Sequence, residues 1–132
     1  MSNLINKMRN LPDFYSMSGA AKEEILIAEQ ELGMKFSKDY KEYVQAFGVI
    51  SAGGHELTGI CKSKRLNVVP VTISERENNP KVSADWYVIE QANIDGIIIW
   101  QSASGEIFQT GPGSNCCKIA DSLEKYIDTI RG

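Results

Sequence analysis

Apolar positions in the first part of the chain recur every three to four residues, the period of a helix with one buried face. Leu4, Ile5, Met8 and Leu11 make a first stripe, which Pro12 closes. Ala21, Ile25, Ala28 and Leu32 make a second, with Ser18 as candidate N-cap and Gly33 where a left-handed C-cap favours glycine. Tyr40, Tyr43, Val44 and Phe47 make a third, between a candidate cap at Ser37 and a stop at Gly48. Beyond Gly54 the pattern turns to strands. Residues 56–61 read as a short one, and residues 86–90 as a run of aromatic and branched side chains. Ile97-Ile98-Ile99-Trp100 is apolar at every position, which predicts a central strand buried on both faces, with Ile98 and Trp100 on one side and Ile97 and Ile99 on the other. Turn signals at 93–96 and 102–105 and a strand over 106–109 complete a three-stranded meander. Residues 111–115 read as a loop, 117–120 as a last short strand. A closing helix carries Leu123, Tyr126, Ile127 and Ile130, with Asp121 as N-cap and Glu124 completing a capping box. Residues 68–73 have strand composition, but Pro70 interrupts them, and pattern alone leaves helix or strand open there.

The predicted class is α+β: a mixed or mainly antiparallel sheet with helices packed on it. At 132 residues, with 42% hydrophobic and 23% charged positions, the chain suits one folded domain over residues 1–132 rather than a disordered segment. No apolar run approaches the roughly 18 residues of a membrane-spanning helix. The opening Met1-Ser2-Asn3-Leu4-Ile5-Asn6-Lys7 lacks the basic-then-apolar grammar of a signal peptide, so a cytoplasmic location is expected. Cys61, Cys116 and Cys117 form no even, spaced framework and read as reduced thiols. A balance of 14 basic against 17 acidic residues argues against a nucleic-acid binder, whose affinity would rest on a basic surface.

Candidate chemistry is sparse. A cysteine hydrolase would have to bring Cys116 or Cys117 to His55, the only histidine. Neither cysteine has the glycine-flanked turn or helix N-terminus that activates a thiolate. The expectation is that Cys117 packs as a small hydrophobe while Cys116 faces outward. The cysteines and His55 lack the spaced pairs of a zinc site, and no calcium-loop pattern occurs. Gly53-Gly54 and Gly111-x-Gly113 read as turns and not phosphate loops. No cofactor is expected. Lys62-Ser63-Lys64-Arg65 is the one basic cluster and reads as a solvated loop.

One feature exceeds the requirements of a core. With about 100° of turn per residue, Leu26 and Ile27 fall well outside the stripe of Ala21, Ile25, Ala28 and Leu32, and flank Glu23 and Gln30. Either the N-terminal helix covers these two side chains, which is the plainer expectation, or a partner does.

The order of elements then becomes informative. Ile25-x-x-Ala28-Glu29-x-x-Leu32-Gly33-x-x-Phe36-Ser37-x-Asp39-Tyr40-Lys41-x-Tyr43, running into Phe47-Gly48, resembles the opening of the SUKH superfamily in its Smi/Knr branch. Glu56-Leu57-x-Gly59-Ile60 resembles the first strand of that family. Val68-Val69-x-x-Thr72-x-x-x-Arg76 is similar to its following element, a helix, with Pro70 near the first turn. Tyr87-Val88-Ile89, Asp95-Gly96 and Gly105-Glu106-Ile107-Phe108 fall where its meander would be, and residues 119–127 resemble its closing helix. The resemblance spans about residues 18–131. Residues 1–17 stand as an N-terminal helical extension that matches weakly.

The resemblance implies an interaction protein without catalytic residues. Bacterial members resemble immunity proteins that bind a cognate protein toxin, often a nuclease, and eukaryotic members act in cell-wall signalling. The short chain without long tails fits the bacterial role better, so the expected partner is a toxin neutralised by occlusion, with a regulatory partner as the alternative. An occluding surface needs an apolar anchor beside charges that complement a basic nuclease. Glu23, Ile27 and Glu31 on the second helix are the first candidates, and Glu75 with Glu77 the second patch.

Overall fold

Residues 3–92, 96–111 and 116–130 are described by a computed structural model of the chain. The predicted helices form, with shifted ends. α1 (Leu4–Arg9) buries Leu4 and Met8. α2 (Lys22–Leu32) starts after Ala21 and not at Ser18; Glu24 Oε1 accepts the Ala21 N–H at 2.9 Å, and Gly33 ends the helix in the left-handed region at φ 68°. The reason lies in residues 15–20, which are held extended. β1 (Tyr15–Ser16) begins this segment, and the Met17 and Ala20 N–H groups donate to Val49 and Val44 carbonyls at 3.0 and 2.8 Å. α3 (Lys38–Phe47) is capped by Ser37, whose Oγ accepts the Tyr40 N–H at 3.3 Å, and Gly48 stops it.

A short antiparallel sheet follows from β2 (Ile50–Ala52) and β3 (His55–Glu56), in the order β1-β2-β3. The strand expected over 56–61 therefore ends almost as it begins. Leu57 makes a single bridge to Glu90, Gly59 a parallel bridge to Asn67, and the chain turns inward between them. α4 (Val68–Asn78) resolves the ambiguous stretch as helix. Asn67 caps it by accepting the Val69 N–H at 2.9 Å, and Pro70 stands in the first turn, where its missing N–H costs no helical bond.

The meander is observed as β4 (Trp86–Gln91), β5 (Ile98–Ser102) and β6 (Ile107–Thr110), and β7 (Cys116–Ala120) extends it in the order β4-β5-β6-β7, antiparallel throughout. Gly96 has a positive φ of 71°, while Asn93–Asp95 of the predicted 93–96 turn and most of the predicted 111–115 loop lie outside the described residues. α5 (Leu123–Ile127) is capped by Ser122, not Asp121; Ser122 Oγ accepts the Lys125 N–H at 3.2 Å. Asp121 instead pairs with Lys118 at 2.7 Å.

Two layers of packing follow. Ile99 joins Leu4, Met8, Tyr40, Tyr43, Phe47 and Tyr87 in the main core under the helices. Ile98 and Trp100 join Val71 and Val88 on the other face of the sheet. The facing expected of the four-residue apolar run is therefore observed, with Ile97 half-buried against the main core. Trp100 spans its strand neighbours, opposite Val88 on β4 and Phe108 on β6, and its Nε1 donates to Thr110 Oγ1 at 2.9 Å. Ile99→Val removes one methylene from this core and should lower stability by about 0.5–1.5 kcal/mol in urea denaturation. An unchanged midpoint would mean that the site is loosely packed.

α1 does not lie on α2. It packs against α3 and α5, and Lys7 forms ion pairs with Glu124 at 3.2 Å and Asp128 at 3.1 Å. The N-terminal residues are thus part of the main core and not an appendage to it.

Candidate functional site

With α1 placed elsewhere, the outer face of α2 is uncovered. Leu26 is 57% exposed and Ile27 54%. This overturns the expectation that the N-terminal helix covers them. Glu23 and Glu31 are exposed beside them, so the face combines two large apolar side chains with carboxylates that form no ion pair among the described residues. Ile25, Ala28 and Leu32 hold the opposite face in the core. Glu29 is also buried there and its carboxylate accepts the Phe36 N–H at 2.8 Å, which fixes the turn between α2 and α3.

A groove of about 390 Å³ runs beside this face. One wall is α2, through Glu24, Ile27 and Glu31; the other is Ile60 and Lys62 with Val69 and Pro70 at the start of α4. Ile60, Lys62 and Val69 carried no signal of site membership in the sequence. Only the packing of α4 alongside α2 brings them to Ile27.

The second predicted patch does not assemble. Two helical positions apart, Glu75 and Glu77 point about 160° from each other. Glu75 is half-buried and accepts from Gln91 Nε2 on β4 at 2.7 Å, whereas Glu77 faces solvent. Arg76, between them, donates to the carbonyls of Leu32, Ala84 and Trp86 at 3.3, 2.8 and 3.0 Å, and so fastens α4 to the end of α2 and the start of β4.

The cysteine–histidine pairing is not formed either. His55 Nδ1 lies 2.7 Å from Glu90 Oε2, and Glu90, 3% exposed on β4, also accepts from the Tyr126 hydroxyl of α5. Burial first, and then the adjacent Glu90 carboxylate, raise the Tyr126 pKa and keep its hydroxyl protonated. Cys116 and Cys117 sit on β7, three strand spacings from β4, or roughly 14 Å. Both are exposed, which corrects the inward packing expected of Cys117. Burial and the neighbouring Cys117 push the Cys116 thiol up, away from the thiolate form a nucleophile needs. A concavity of about 700 Å³ lies at the N-termini of α3 and α5. Asp39, Glu42 and Asp121 line it; Asp39 accepts from Gln101 Nε2 and the Leu123 N–H, each at 2.9 Å, and Asp121 pairs with Lys118 at 2.7 Å. Among the described residues no group of three or more His, Cys, Asp and Glu is placed to hold a metal ion, and no helix is long and apolar enough to cross a membrane.

What the geometry offers is an α+β domain with an uncovered apolar–acidic helix face. The SUKH_5 family model, described as SMI1-KNR4 cell-wall, matches residues 1–130, and the chain belongs to this family. A crystal structure of a protein from Pseudomonas syringae pv. tomato has the same fold, with a TM-score of 0.79 over 99% of this chain and 98% of that chain, at 10% identity. No curated protein matches the sequence.

Proposed function

We propose that the chain is an immunity-type protein that acts in the cytoplasm as one domain, binding a cognate protein toxin through the outer face of α2 and neutralising it by occlusion, with no contact of its own to nucleic acid. The observation that carries this reading is the exposure of Leu26 and Ile27 beside Glu23 and Glu31. Apolar side chains of this size on a helix otherwise anchored in the core supply a desolvated centre, and the carboxylates around them suit the basic surface of a nuclease. Family membership supports a binding role for the domain as a whole. A regulatory partner would use the same face, and the identity of the ligand separates the two roles.

The test is the double charge reversal Glu23→Lys with Glu31→Lys, measured against the toxin domain that the wild-type chain binds. Association at low salt should slow by about 3–10-fold and lose part of its salt dependence. Thermal stability should change by less than about 0.5 kcal/mol, because both positions are exposed. Unchanged association kinetics at low salt would remove α2 from the interface.

A further inference from the structure

We propose that the groove between α2 and α4 receives an amphipathic helix of the partner, with its apolar ridge on Ile27, Ile60 and Val69 and opposite charges on its two flanks. This rests on the reading of the chain as a protein-binding domain and specifies what kind of element it binds.

The first argument is electrostatic. The groove is lined on the α2 side by Glu24 and Glu31 and on the other by Lys62. Glu31 and Lys62 are exposed and neither forms an ion pair among the described residues. Arg65, nearby in the same loop, is held by Glu56 at 2.8 and 3.1 Å, which leaves Lys62 and the exposed Lys64 as the free basic charges of that lip. The N-terminal end of α4 adds positive potential on the same side, since Asn67, Val69 and Pro70 belong to the lining. The groove is therefore acidic along one wall, basic along the other and apolar between. An occupant that satisfies it carries basic residues on one flank and acidic residues on the other.

The second argument concerns the backbone. One long wall is the helix α2, whose peptide groups are bonded within it; the other is residues 60–62 and the first turn of α4. In the segment between, the Gly59 N–H donates to Leu66 O at 2.9 Å, the Val68 N–H to Gly59 O at 2.8 Å, and Asn67 Nδ2 to Cys61 O at 2.8 Å. Along α2 an extended strand would find no free backbone partner, so the edge facing that wall would leave its N–H and C=O groups unmatched. A helix brings its backbone already satisfied and buries a ridge of side chains at i, i+4 and i+7. Charged flanks beside an apolar ridge are also what a surface helix displays.

The probes are three dye-labelled helical peptides with one leucine ridge. One has lysines on one flank and glutamates on the other, one has lysines on both, and one has glutamates on both. Fluorescence anisotropy with the full chain should rank the mixed peptide tightest, by about threefold or more over either of the others. Glu31→Lys should move the preference to the glutamate-flanked peptide, and Lys62→Glu to the lysine-flanked one. Both positions are exposed, so a thermal melt should show each variant as folded as the parent. Equal binding of the three peptides, no binding by any, or variants that leave the ranking unmoved would each overturn the proposal. The same variants separate it from the toxin reading. If reversal at Glu23 and Glu31 slows the toxin while Lys62→Glu changes neither toxin nor peptide, the α2 face stands and the helix-binding groove falls. If the peptides follow the groove charges while the toxin is indifferent to Glu23 and Glu31, the groove stands and the toxin reading falls.

Discussion

Gly59→Ala should abolish the cooperative fold or lower its stability by about 4 kcal/mol or more, the range reserved for severe backbone or core conflicts. A methyl group at Gly59 would stand 1.7 Å from the Gly48 carbonyl oxygen and 2.8 Å from its carbon. These are backbone atoms, so no rotamer change relieves the overlap. Nor can Gly59 retreat, because its N–H and C=O are bonded to Leu66 and Val68, and the next N–H, that of Ile60, donates to Gly48 O at 3.1 Å. Gly48 has no room either. Its φ is 70°, and a methyl there would meet Ser18 O at 2.2 Å. Three chain segments, at Ser18, Gly48 and Gly59, thus pack backbone against backbone, and the inward turn after β3 depends on that contact. Gly33→Ala is the control. Gly33 also has a positive φ, 68°, but nothing lies within 4 Å of the added methyl, so only the conformational cost of roughly 1 kcal/mol remains. Urea denaturation of both variants checks the difference. A Gly59→Ala protein within about 1 kcal/mol of the parent would show that the contact yields.

The glycines that matter here were visible in the sequence, but their reasons were not. Gly48 read as a helix stop, which it is, whereas Gly59 looked like one residue of a strand. The difference arises from a contact 11 positions away in the chain, which no local pattern encodes. The same distinction runs through the fold. α3 and the meander were legible because their signals are local: a serine cap, tyrosines at helical spacing, four apolar residues flanked by turns. β1 and β2 were not, because two or three residues contain too little alternation to read, and their pairing, Tyr15 with Ser51, is non-local. Ser18 looks like a cap because serine before a helical stripe usually is one. Its segment instead lies extended against residues 44–49, and the helix waits for Ala21.

The candidate site divides in the same way. The helical wheel placed Leu26 and Ile27 outside the core stripe, but whether they are covered depends on α1. Leu4 and Met8 take α1 to α3 and α5, and that choice leaves the outer face of α2 open. Glu75 and Glu77 look alike as neighbours in sequence, yet the helix turns one toward Gln91 and the other to solvent. Glu90 left a trace that could have been read. It is an acidic residue closing the β-rich run Trp86-Tyr87-Val88-Ile89. A carboxylate at such a place needs partners, and both of them, His55 and Tyr126, come from elsewhere in the chain.

Glu90→Ala should cost about 3–5 kcal/mol, the range for removing one member of a buried ionic or hydrogen-bonded set. The carboxylate is 3% exposed and joins three elements: β4, the hairpin carrying His55, and α5 through Tyr126. Its loss leaves the Tyr126 hydroxyl buried without its acceptor, and opens a cavity as well. Three further variants separate hydrogen bonding from charge. Glu90→Gln keeps an oxygen to accept from Tyr126 and nearly the same volume, so it should cost about 1–2 kcal/mol. Glu90→Leu with Tyr126→Phe removes acceptor and donor together. It should be more stable than Glu90→Leu alone, because a buried polar group without a partner costs more than an apolar pair of similar shape. Urea denaturation of the four proteins completes the comparison. If Glu90→Ala costs less than about 1 kcal/mol, or if Tyr126→Phe restores nothing in the Glu90→Leu background, then His55, Glu90 and Tyr126 do not act together.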